Sequence, residues 1–151
     1  MLENYPGAIR FAQESMSIHQ IGSADFDLQA WELRVIGHAY LLTGDIPNAR
    51  KYLYRALKAG VQANLRSRAL LTLIPIARLL NSQGDTGRAL EYLFLVRHHP
   101  ISWQMARDQA SPLIASLTAG LSAEVITAAQ ERGLMRDLNA TIAELLKELA
   151  E

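Results

Sequence analysis

The side chains in this 151-residue chain that could do chemistry are four histidines, a scatter of serines and a balanced set of charges. His19 and His38 are far apart in sequence, and the neighbours His98 and His99 would point in different directions on a helix. No histidine pair stands at i and i+4, and no carboxylate completes a ligand spacing, so no metal site is expected. The nine glycines are dispersed, and none opens a phosphate loop ending in Lys and Ser or Thr. Serines suit helix caps and have no evident base partner. Asp25 with Asp27, and Glu144 with Glu148, fit caps and solvated faces better than a general acid and base. The absence of cysteine excludes thiol nucleophiles, disulfides and thiolate ligands. The expectation is a chain without catalytic residues, metal or cofactor, and not an enzyme.

Composition narrows the partners. Fifteen basic residues balance fifteen acidic ones, so no global charge draws the chain to nucleic acid or an anionic membrane. The apolar run from Ala69 to Ala77 is interrupted by Thr72 and Pro75, far short of a bilayer span, and no signal peptide is legible. A cytoplasmic location is expected, with no membrane partner. Half of the residues are apolar, enough for one globular domain with a continuous core.

The elements that must position any site come from an internal repeat. Leu33, Ile36, Gly37, Tyr40, Gly44, Asp45, Ala49, Leu53 and Ala56 recur in spacing as Leu73, Ile76, Ala77, Leu80, Gly84, Asp85, Ala89, Leu93 and Val96. Asn4 and Ala8 read as the remnant of a third, truncated copy. Apolar residues three and four apart make a stripe on a first helix, Gly-Asp turns the chain, and a small residue lets the second helix approach. Such a hairpin buries its apolar face only by stacking, which predicts a right-handed all-α solenoid. Helices are expected at 6–20, 24–43, 46–59, 64–82, 87–98, 103–118, 123–132 and 138–150. Expected caps are Ser23 or Asp25, Asp85 or Thr86, Ser102, Ser122 and Asp137, with Pro47 in a first turn and Gly60 and Gly133 as helix ends. Pro75 is expected to kink its helix, and Pro112 to kink or split the one opened by Trp103.

These hairpins resemble the tetratricopeptide repeat family, with Gly37, Tyr40, Gly44, Ala49 and Ala56 as its signature small and aromatic positions, and Ala77, Gly84 and Ala89 as their counterparts. Leu80 replaces the aromatic in the second unit, and the period is longer than the family's usual one. That longer period, with His99-Pro100, Trp103, Arg107, Ala110 and Arg132-Gly133, is similar to the C-terminal repeat region of large bacterial transcriptional regulators that carry an ATPase module. The resemblance implies a single repeat domain over 1–151, made of a truncated repeat at 1–22, full repeats at 24–62 and 63–100, and a divergent helical cap at 101–151.

It also implies an inner face, carrying Arg34, His38 and Leu41 from one hairpin and Ile74, Arg78 and Asn81 from the next. Arg34, His38, Arg78 and Asn81 are therefore the candidate ligand-binding residues, for a peptide, a loop of the parent protein or a small effector. The implied function is a protein-interaction, sensor or scaffold segment of a signalling or transcription regulator. The alternative is a structural end module for oligomerisation or intramolecular packing, including homo-oligomerisation through an exposed terminal repeat. Lys51, Arg55 and Lys58 share a helix face and form a second candidate contact surface, for acid or phosphate. Without a base-reading element, sequence-specific nucleic-acid binding is not expected. Tyr40 reads as core. Tyr52, Tyr54, Tyr92 and Phe94 lie on faces that cannot all be equally buried, leaving an edge for another segment.

Overall fold

The computed structural model describes residues 6, 7, 9–11, 13, 14 and 26–150. Asn4 and Ala8 of the truncated repeat, His19, and the proposed caps Ser23 and Asp25 lie outside the described residues. The described residues between 6 and 14 are helical. After them come α1 (Phe26–Thr43), α2 (Ile46–Gln62), α3 (Arg66–Ser82), α4 (Thr86–His98), α5 (Gln104–Thr118), α6 (Ala123–Met135) and α7 (Leu138–Leu149). Among the described residues there is no strand, and no helix is long and apolar enough to cross a membrane.

The two Gly-Asp turns are built alike. Gly44 and Gly84 take φ of 84° and 87°, a left-handed conformation that only glycine adopts without penalty. Asp45 N–H then donates to the Tyr40 carbonyl and Asp85 N–H to that of Leu80, closing the helix ends in the Schellman manner. Each aspartate also caps the next helix, accepting from Asn48 N–H and Arg88 N–H respectively. One residue thus ends one helix and starts the next. This fixes α1–α2 and α3–α4 as equivalent hairpins. Ser122 and Asp137 cap α6 and α7 as their positions suggest.

Other punctuation differs from expectation. Gly60 does not end α2: it is buried inside the helix, and Asn64 takes the left-handed position at φ 56° while Leu65 N–H bonds to the Gly60 carbonyl. Gly133 does not end α6 either, because the helix runs through it to Met135. Ser102 is buried with its hydroxyl donated to the Val96 carbonyl, and the N-cap position of α5 falls to Trp103, which provides no side-chain cap. Pro75 and Pro112 both lie inside unbroken helices, and the proposed split of α5 is not observed.

Packing places α4 at the centre. It touches α3, α5 and α6, and its residues from Ala89 to Val96 are all buried. Tyr92 and Phe94 are consequently both enclosed, while Tyr52 and Tyr54 on α2 stay half-buried, so the four aromatics of the second helices are unequally buried, as their adjacent faces imply. Helix α2 divides two apolar clusters. Ala56 and Ala59 meet Ile9, Leu33 and Ile36 on one side, and Leu53 and Leu57 join the main core on the other.

Helix α7 turns back onto α2, burying Leu138, Ile142, Leu145 and Leu149. Arg88 on α4 pins it through two bonds to Glu148, at 2.6 and 3.1 Å, while its guanidinium also donates to the Tyr92 hydroxyl at 2.9 Å. That pairing holds the Glu148 carboxyl below the usual carboxylate range. Arg50 donates to the Glu148 carbonyl at 2.6 Å, and Arg136 bridges Glu91 and Glu144. In a simple linear array each unit meets only its neighbours; here α7 clasps the second-helix side of the first hairpin.

Candidate functional site

On the opposite, first-helix side, α1, α3 and α5 enclose a cleft of about 410 Å³. Four-residue spacing puts Arg34 and His38 on one face of α1, and Ile74 and Arg78 on the matching face of α3. The far wall is α5, with Gln109, Pro112, Leu113 and Ser116. Three of the four candidate ligand-binding residues, Arg34, His38 and Arg78, therefore share one cavity. Asn81 and Leu41 line a shallower continuation of about 280 Å³, which shares Arg78, Leu113 and Ser116 with the first. Asn81 is partly committed, since its side-chain oxygen accepts from the Thr86 hydroxyl at 2.7 Å.

The α5 wall was not among the expected site residues. Gln109 and Leu113 repeat the four-residue spacing of Ile74 and Arg78, but at a shorter offset than the hairpin repeat, so no signature position marked them.

The electrostatics are one-sided. The eight lining residues include two guanidiniums and no carboxylate. Neither Arg34 nor Arg78 has an ion-pair partner among the described residues. Burial, with Arg68 nearby, lowers the Arg34 pKa. His38 shares the lining with them, its Nε2 buried and without a hydrogen-bond partner. Burial first, then the charges of Arg78 and Arg34, push its pKa down to about 4. At neutral pH the cleft offers two cations and a neutral imidazole, a set of donors suited to an oxyanion in bidentate contact with arginine.

That imidazole makes stability depend on pH. In the unfolded chain His38 titrates near 6.5 and in the folded one near 4, so between these values the unfolded state binds more protons. Stability from this group is full above pH 6.5 and falls as pH drops toward 4. A plot of Tm against pH should be flatter over that interval in His38→Gln than in the parent chain; parallel curves would place the titration elsewhere.

The chain matches no protein-family model, no curated protein and no solved structure.

The remaining candidate residues fall elsewhere. Lys51 and Lys58 are exposed and Arg55 is half-buried on α2, away from the cleft lining. Lys51 and Arg55 lie over the Tyr52 ring and Lys58 over that of Tyr54. Their opposite face carries buried Ala49, Leu53 and Ala56. Tyr40 is half-buried and stacks on Tyr52 at 5.4 Å, with both hydroxyls accepting from the Gln13 amide. Gly37, Ala77, Ala49, Ala89 and Ala56 are all buried, and Gly37 lies directly against Leu53 of α2.

Proposed function

We propose that this chain is a binding segment of tetratricopeptide-like architecture, which receives an acidic stretch of polypeptide in the cleft between α1, α3 and α5. The observation that carries the reading is the convergence of Arg34, Arg78 and the unpartnered His38 on one cavity with no carboxylate in its lining. Arg34 is held against burial and the nearby charge of Arg68 without an ion-pair partner among the described residues, a cost that is offset when an anionic ligand enters. Ile74, Pro112 and Leu113 supply apolar wall beside the charges, the mixture a peptide groove uses. In this reading the segment serves as an interaction or sensor module of a cytoplasmic regulator, with any chemistry carried by other parts.

A library of aspartate- and glutamate-containing peptides, read by fluorescence anisotropy, tests the proposal. The best binder should lose about a hundredfold in affinity in Arg34→Ala/Arg78→Ala, roughly tenfold for each charge-assisted contact. The double variant should stay folded and be no less stable, since neither side chain has an ion-pair partner to lose. Unchanged affinity would move the interface elsewhere, and a library without binders would reject the reading.

A further inference from the structure

A second cavity, of about 430 Å³, lies on the other side of the molecule, between α7 and the α2–α3 junction. Its cause is in the sequence. Gly60, Ala69 and Ala143 meet there from three elements and supply almost no side-chain volume, so the space between Val61, Leu65, Ile142 and Leu146 is left unfilled. Helix α7 cannot settle into it, because its other flank is held by the bonds from Arg50, Arg88 and Arg136. The polar side chains are few, and the only charge among them is positive. Asn64 and Asn139 offer amides, and Arg66 offers a guanidinium with no ion-pair partner among the described residues. Arg66 also opens α3, whose N-cap residue Leu65 provides no side-chain acceptor. No carboxylate lines the cleft.

We propose that this cleft binds an amphipathic monocarboxylate, with the carboxylate on Arg66 and a short apolar body between Ile142, Leu146, Val61 and Leu65. Small-ligand sites are typically concavities of this size, mostly apolar, with a few polar groups that fix orientation. At about 30 Å³ for a water-sized group, the volume takes a body on the order of a dozen non-hydrogen atoms. A cation would be repelled by Arg66, and a neutral alcohol would leave the guanidinium without its charged partner. Because the ligand would touch α2, α3 and α7 together, occupancy would tighten the clasp that α7 makes on the first hairpin.

The probes are octanoate, octan-1-ol and octylammonium, titrated while the methyl resonances of Val61, Leu65, Ile142 and Leu146 are followed by NMR. Octanoate should saturate those shifts and raise Tm, with the alcohol and the ammonium at least about tenfold weaker. Arg66→Gln should weaken octanoate about tenfold and leave octan-1-ol unchanged. Ala143→Phe, at an exposed position where folding is not at risk, should fill the cleft and remove binding of all three. Three outcomes would overturn the proposal: no saturable shift with octanoate, equal affinity for the three probes, or binding that survives Ala143→Phe.

Discussion

Replacing Gly133 by alanine is expected to destabilise the protein by about 2–3 kcal/mol, although alanine is the better helix former by about 1 kcal/mol. Gly133 lies in the last turn of α6, where that helix crosses α4. A Cβ there would stand 2.5 Å from the Glu91 carbonyl oxygen and 3.0 Å from the Phe94 Cβ. The first of these is backbone of the central helix and cannot rotate aside. To relieve the contact α6 must back away, loosening buried Ala129 and the pairs that Arg132 and Arg136 make with Glu91. The steric cost exceeds the propensity gain, and Tm should fall by roughly 5–10 °C. Gly87→Ala is the matched control: it sits in the first turn of α4 with nothing within 4 Å of an added Cβ. That change should be neutral or stabilising by up to about 1 kcal/mol. Thermal melts followed by circular dichroism decide the matter, and a Gly133→Ala midpoint at or above that of the parent would remove the close crossing.

Gly133 also marks the limit of what the sequence shows. A glycine near the end of an apolar periodic stretch carries the local signal of a helix stop, and that signal was right at Gly44 and Gly84, where the backbone needs a positive φ. At Gly133 and Gly60 the requirement is different. Each faces a segment distant or across a turn, the α4 backbone for Gly133 and Arg68 with Ala69 for Gly60, and periodicity contains no record of such an approach. The hairpins were legible because their determinants are local: Gly-Asp turns, aspartate caps and stripes at three and four residues. The Arg34, His38 and Arg78 side of the cleft was legible for the same reason, since repeated spacing puts equivalent positions on one face. The α5 wall has no repeat counterpart. The stripe of Leu138, Ile142, Leu145 and Leu149 showed that α7 buries one face, while the identity of the surface it covers depended on Arg50 and Arg88, distant in sequence.

The largest effect is expected at Gly37, where leucine should cost more than about 3 kcal/mol, beyond the usual range for overpacking. Glycine is needed there for space: a Cβ would be 2.8 Å from both Cγ and Cδ2 of Leu53 and 3.1 Å from its backbone nitrogen. Alanine is a smaller test, since it adds only the Cβ against Leu53 and helix propensity returns about 1 kcal/mol. The corresponding position in the second hairpin already holds Ala77, fully buried in the same core cluster as Leu93. A leucine has no such accommodation, because Leu53 is itself completely enclosed and the next obstacle is backbone. The hairpin must therefore open, and α1 carries Arg34 and His38 away from Arg78 as it does so. Gly37→Leu should lower Tm by more than about 6 °C, and should weaken any anionic peptide held by the cleft in the fraction that remains folded. Adding Leu53→Ala removes the atoms in the way, so the double variant should be less destabilised than the sum of the single changes. Strict additivity of the two, or an unchanged midpoint in Gly37→Leu alone, would mean that the helices do not meet where Gly37 and Leu53 are placed.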